Sequence, residues 1–429
     1  MAEVAFTYSR NKVRIPSLTT VLLFIFLFAP LLTLERTPHF SIYEKFIVGF
    51  FLVIFIYWVL KTIATSRYLS FRYMDIPVLI LFFFFLVDMC KIVDPSVNIT
   101  HWLHWRKFFF VLIYFPVSRT LNTEKTIDYF FVFLMIAGTV MSSIFIASYY
   151  QDIFNTRAGP LYDMDRSTFP YFIIMLGVGI FAWVNSRKGR YSVLIKILFN
   201  TALIIMLIDS ISFARRTPLI VISVGIALTI FFNAREKIMT NKKYLLLLIS
   251  IPFLVVTFTG LSESYELRFE EKKIKEGVFG RSERYYYALL QIKENVFIGV
   301  LPHSGKLKYG PYGHQEGSVH SLYFYFLHFG GMMGMAIFFF FAVQSVRYCF
   351  KVVGRKKNRK LKVYAQGITI MMIALYVTGT VSTRSLAYET WLLVGYMLGV
   401  LAGIDFLKDG SEKQIKGTTQ RTSPARQST

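Results

Sequence analysis

Three short stretches hold side chains able to grip an anion and to move a proton. In "DSISFARRTPLIVI" Arg215 and Arg216 stand side by side. Adjacent guanidiniums repel one another, a nearby anion relieves both, and their planar forks match phosphate oxygens two at a time. The same pair also fits two arginines whose stems cross apolar surface to reach water. "GRSERYYY" carries Arg281 and Arg284. Three residues apart on a helix, they share a face and extend a cationic surface, or they pair with Glu283 or with the charge cluster "EEKKIKE" at 270–276. In "SVHSLYFYFLHFGGMMG", His320 is the side chain type best suited to accept a proton near neutral pH. It also fits an interfacial aromatic belt. His328, two turns deeper, reads as packing or as a helix–helix hydrogen bond. Gly331 and Gly334 are small residues on neighbouring turns, a pattern that lets a neighbouring helix come close.

Other candidates are weaker. His303 and His314 read as solvated turn residues, and His101 and His104 as an interface belt with Trp102 and Trp105. The histidines form no close pair with a carboxylate on one helix, so zinc is not expected. There is no P-loop and no GxGxxG after a strand, so no nucleotide is expected either. "DMD" at 163–165 imitates a divalent-metal motif, but reads as a polar outward loop with Arg157 and Arg166 as further anion contacts. The expectation is no metal and no cofactor.

The elements that must position these groups follow from composition. Hydrophobic residues make up 55% of the 429 residues and charged residues 17%, against about 25% charged in a soluble domain. Mean hydropathy is +0.50. The chain is too apolar for a water-soluble core and too apolar for disorder, so it is read as an all-α polytopic membrane protein. A bilayer core takes about 20 apolar residues per helix. Twelve segments qualify, at 17–35, 45–62, 76–94, 107–118, 128–150, 168–186, 192–212, 216–233, 243–261, 319–346, 361–382 and 387–405. The shortest, 107–118, holds Pro116. The first is read as a retained span rather than a removed signal peptide.

The net charge of +23 is explained first by topology, and nucleic acid is not an expected partner. Lysines and arginines crowd alternate loops: Lys61, Arg67 and Arg72; Arg119 and Lys125; Arg187, Lys188 and Arg190; Arg235, Lys237, Lys242 and Lys243; and the run "RYCFKVVGRKKNRKLK" at 347–362. The positive-inside rule puts these loops and both termini in the cytoplasm, where such charges also meet anionic lipid. Residues 1–405 then form one transmembrane domain, and 406–429 a disordered basic tail. Cys90 and Cys349 fall near opposite faces and are not expected to pair.

The connection at 262–318, between the ninth and tenth spans, is a long outward loop, and loops of this length tend to carry function. Within it, Tyr286, Leu289, Leu290, Lys293 and Phe297 recur at helical spacing, on a face suited to the membrane interface. The Gly-rich turn "PHSGKLKYGPYGHQEGS" follows. The expected arrangement is a short helix and a turn over the mouth of the bundle, as a lid or a substrate-binding wall.

Taken in order, these elements resemble the O-antigen ligase-like superfamily of bacterial envelope proteins, which includes O-antigen ligases and O-antigen polymerases. The resemblance rests on "ARRTPL" with Arg215 and Arg216, "GRSERY" with Gly280, Arg281 and Tyr285, "IGVLPHSG", and "HSLY" with His320, Ser321 and Tyr323 before Gly331 and Gly334. Tyr285 stands where Trp is common in that family, and Ser321 where Asn is common. The resemblance implies a glycan transferase of the bacterial inner membrane with a periplasmic site. It implies transfer from an undecaprenyl-diphosphate-linked glycan to an acceptor hydroxyl: a lipid A–core sugar for a ligase, the growing glycan for a polymerase. In this reading Arg215, Arg216 and Arg281, supported by Arg284, hold the diphosphate and stabilise its developing charge. His320 deprotonates the acceptor. Direct attack implies inversion without a covalent glycosyl-enzyme. The alternative from another class is a lipid or sugar flippase, whose cationic groups belong near the bilayer midplane on broken helices or repeats.

Overall fold

The computed structural model describes residues 17–28, 40–64, 71–89, 108–154, 173–174, 177, 193–212, 216–235, 250, 282, 285–286, 288–293, 295–299, 321–380 and 388–407. Most of the described residues are helical, and there is no strand among them. The helices are α1 (Leu18–Phe26), α2 (Phe40–Ala64), α3 (Asp75–Met89), a 3-10 turn (Phe110–Ile113) leading into α4 (Tyr114–Thr120), α5 (Glu124–Phe154), α6 (Val193–Ser212), α7 (Arg216–Arg235), α8 (Leu322–Arg355), α9 (Arg359–Gly379) and α10 (Tyr388–Phe406). Among the described residues, four helical stretches are long and apolar enough to cross a membrane: Phe46–Ala64, Glu124–Ile144, Leu322–Arg355 and Arg359–Gly379. The chain is a helical membrane protein.

Helices α9 and α10 form the centre. Nearly every described side chain of α10, from Thr390 to Ile404, is buried, as expected of a helix that is apolar all round. Trp391 and Tyr396 are among the largest side chains fully shielded there. The 3-10 turn and α4 lie directly on α10 along a stripe of glycines. A Cβ on Gly395 would meet Ile113 at 2.6 Å, and one on Gly399 would meet Val117 at 2.7 Å. Gly403 abuts the Leu121 carbonyl. The partners advance by four as the glycines do, so the two elements run parallel at contact distance. Pro116 lies where the 3-10 turn has just passed into α4, a change of winding in a helix at a residue that has no amide to donate.

One end of the bundle is tied by polar contacts. Asp75 opens α3; its carboxylate accepts from the Arg72 amide at 2.8 Å, from the Tyr114 hydroxyl at 2.9 Å and from Arg119 at 2.5 Å. The Arg72 guanidinium donates to the Ala402 carbonyl at 2.8 Å and lies over the Phe406 ring. Burial, reinforced by the Arg119 cation, pulls the Arg72 pKa below its ordinary value. Lys356 donates to the carbonyls of Asp405 and Leu407, closing the end of α10 with a cation where the helix dipole favours one. Lys360 pairs with Asp128 and, at 3.5 Å, with Glu124. Lys61 donates to Thr19 at 3.4 Å. The starts of α1, α3, α5 and α9 thus share one end with the finishes of α2, α4, α8 and α10, and this alternation is what membrane-crossing helices in sequence require.

Two sequence expectations change. The basic run 347–362 is not a loop: α8 continues through Arg355, and Asn358 caps α9 by accepting from the Lys360 and Leu361 amides. The helix persists because Tyr348, Cys349, Val352 and Val353 bury one face while Arg347 and Arg355 stay outside. The tenth span is also not one continuous helix. It breaks at Gly331, whose φ of 61° and ψ of −157° belong to a region that glycine alone populates readily. Cys349 is a free, buried thiol; Cys90 and the tail 408–429 lie outside the described residues.

Removing one partner of a buried ion pair leaves the other charge uncompensated, at a cost of about 3–5 kcal/mol. Asp75→Asn should therefore markedly lower the thermal unfolding temperature of the purified protein in detergent. Asp75→Asn combined with Arg119→Met should recover part of the loss.

Candidate functional site

The site expected from the sequence gathers Arg215, Arg216, Arg281, Arg284 and His320. Arg216 is the first residue of α7. Arg215, Arg281, Arg284 and His320 lie outside the described residues. The elements that flank them are described, and they fix where the segments enter the bundle.

Near the end of α7, Phe232 meets Phe350 near the end of α8, with ring centroids 6.1 Å apart. The two helices therefore begin at the same end, opposite the polar ties. Pro218 falls in the first turn of α7, a position that has no amide bond to lose. Helix α8 begins after Ser321, an extended residue (φ −146°, ψ 136°) whose hydroxyl accepts from the Phe324 amide at 3.5 Å. His320 immediately precedes this cap in sequence. The last turn of α9 closes on the first of α8: a Cβ on Gly379 would touch Leu322 at 3.1 Å, and the Tyr323 hydroxyl donates to the Tyr376 carbonyl at 2.9 Å. Two helix N-termini, those of α7 and α8, thus open at one end. Unpaired N-terminal amides and the positive pole of the helix dipole favour anions there.

The third flank is the segment after Arg284. Residues 285–286 and 288–293 are helical, followed by a turn over 296–298. Tyr285 stacks on Phe324 with centroids 4.3 Å apart. Gln291 Oε1 accepts from His328 Nε2 at 2.6 Å. The amides of Met332 and Met333 donate to the carbonyls of Val296 and Phe297, at 2.9 and 3.2 Å. At the crossing, Gly299 (φ 75°) and Gly331 meet backbone to backbone, and a Cβ on either would fall 2.5 Å from the other's nitrogen. The helix expected here is present, and the face expected for it is the exposed one: Tyr286, Leu289, Leu290 and Lys293, with Phe297 in the turn that follows, are all exposed. The segment runs alongside α8 as far as Gly331, beyond the mouth-covering position expected for it.

The close approach expected at the glycines of α8 divides between two neighbours. Gly331 receives Gly299, while Gly330 and Gly334 receive the Phe84 ring of α3, at 2.5 and 2.7 Å from a built Cβ. His328 makes the hydrogen bond expected of it, to the 285–299 segment rather than to another span. Its Nδ1 and the Gln291 Nε2 are both buried without a partner among the described residues.

Sequence reading passed over two buried acids at this end. Asp88 in the last turn of α3 and Asp209 near the end of α6 are 1% and 3% exposed. Their signal was a single carboxylate inside an apolar run, "FFFFLVDMC" and "IIMLIDSIS". An ionisable group in such a place is costly and marks functional ground in membrane proteins.

No family model matches the chain, and no curated protein matches it.

A side chain at Gly331 would have to enter a glycine-only conformation, at about 1–3 kcal/mol of strain, and displace the Gly299 backbone. Gly331→Ala should lower the unfolding temperature. Gly354→Ala on the same helix, where a Cβ meets nothing within 4 Å, should be neutral or stabilising by about 0.5–1 kcal/mol.

Proposed function

We propose that this protein is a membrane glycan transferase of the O-antigen ligase type. It moves a glycan from undecaprenyl diphosphate to a lipid A–core sugar hydroxyl on the periplasmic side of the bacterial inner membrane. A polymerase that extends a growing glycan from the same donor is the nearer alternative. The bundle has twelve spans with both termini cytoplasmic, and the polar-tied end faces the cytoplasm. One observation carries the reading: α7, opening on Arg216, and α8, opening just after His320, begin at the same end of the bundle, and the segment following Arg281 and Arg284 packs along the first half of α8.

Arg215, Arg216 and Arg281, with Arg284 beside them, hold the diphosphate. Negative charge grows on the diphosphate as the anomeric bond breaks, so fixed cations and helix N-termini aimed at it lower the barrier without reorganising. His320 takes the proton of the acceptor hydroxyl as that oxygen attacks the anomeric carbon. The donor bond is already activated, so no nucleotide is consumed.

A flippase gains support from one feature, the interruption of α8 at Gly331, because broken helices at depth are where transporters bind their cargo. Yet the side chains that meet α8 beside the break are Gln291 and apolar residues, and the cation of this segment, Lys293, is on its exposed side.

Purified protein given lipid-diphosphate glycan and acceptor, without nucleotide or metal, should form the transferred product. His320→Ala should abolish transfer while the protein stays inserted and folded. Arg216→Lys should impair it at least tenfold, because an ammonium lacks the bidentate fork. Near-normal turnover by both variants, or transport of the lipid without transfer, would overturn the assignment. In a deletion strain, long lipid-carried chains would mark a lost ligase and single repeats a lost polymerase.

A further inference from the structure

We propose that residues 285–299 form a re-entrant membrane segment, which descends beside α8 to the break at Gly331 and turns back, its outward side chains in contact with bilayer hydrocarbon. The inference rests on α8 crossing the membrane and not on the transferase reading. Three contacts in register set the path. Tyr285 lies on Phe324, Gln291 on His328, and Val296 to Gly299 on Gly331 to Met333. The segment therefore runs parallel to α8, moving from its first turn inward. Gly331 is nine residues below Leu322, or about 14 Å at 1.5 Å per residue, close to half of a hydrocarbon core about 30 Å thick. Ser321 stands at the start of α8, so the chain that leaves Gly299 returns to the end it came from.

Non-helical backbone survives at such depth only when its polar groups are satisfied inside the protein. Here they are exchanged between the two interruptions. The break at Gly331 frees the amides of Met332 and Met333, and the turn supplies the carbonyls of Val296 and Phe297. The Gly299 amide returns to the Asn295 carbonyl at 2.8 Å. The polar side chains Gln291 and His328 face inward and bond each other. What faces outward is apolar apart from Lys293: Leu289, Leu290, Val296, Ile298 and Phe297, the last 73% exposed, and the long Lys293 stem can carry its ammonium up toward the headgroups. At the same level α8 exposes Met332 and Met333, and further down Phe339, Phe340 and Val343. The outward face of the turn is thus continuous with the lipid-facing surface of a spanning helix, and this selects acyl chains as its occupant.

The full-length protein with Cys90→Ser, its buried Cys349 left in place, would be labelled with a nitroxide at Phe297→Cys and reconstituted in liposomes. Collision with oxygen should exceed collision with a water-soluble nickel chelate, matching a label at Met333→Cys, whereas a label at Tyr286→Cys should sit shallower. Greater access to nickel, or rapid alkylation of Phe297→Cys by a membrane-impermeant maleimide in intact vesicles, would show a water-facing lid and overturn the proposal. Shielding from both probes would show a protein partner on this face and would overturn it as well. If Phe297→Cys does not fold, Ile298→Cys gives the same reading.

Discussion

A backbone amide or carbonyl left unbonded in hydrocarbon costs several kcal/mol, and this single constraint shapes the molecule. It explains why nearly everything described is helical, and why the exceptions are answered so specifically. The interruption of α8 exposes two amides, and the turn beside it presents two carbonyls to them. Neither irregularity is tolerable alone; together they cancel. Two glycines with positive φ make the exchange possible, because only backbones stripped of side chains approach so closely.

The same rule governs the opposite end in electrostatic form. There, basic residues do more than set orientation. Lys356 closes the carbonyls at the finish of α10, Arg72 holds the Ala402 carbonyl, and Arg119 compensates Asp75. A charge count finds such residues but does not separate those that meet lipid headgroups from those that clasp one helix to the next. Contact geometry makes that separation.

The helices were legible because apolar runs of the right length are a strong signal, and the boundaries of α2, α6, α7, α9 and α10 fall within a few residues of the expected ones. The over-long α8 was not, because charged residues at 347–355 resemble a loop until Tyr348 and Val352 are seen to bury one face. The break at Gly331 was equally hidden: a Gly-Gly pair inside an apolar run reads as a close-packing motif, and nothing local reveals that its partner is Gly299. Of the candidate site, the helix after Arg284 and its apolar face were readable from spacing. The inward-facing Gln291 and the buried Asp88 and Asp209 were passed over, because one polar residue in an apolar run has no periodicity of its own.

The glycine stripe on α10 has a consequence for biogenesis. Its partner is the 3-10 and α4 stretch, a shorter apolar helix buried over most of its length. That stretch leaves the ribosome long before Gly395, Gly399 and Gly403 exist. Until they arrive it must be sheltered by the insertion machinery or by neighbouring helices. The central pillar of the bundle is therefore the last described piece to be delivered, and assembly waits on it.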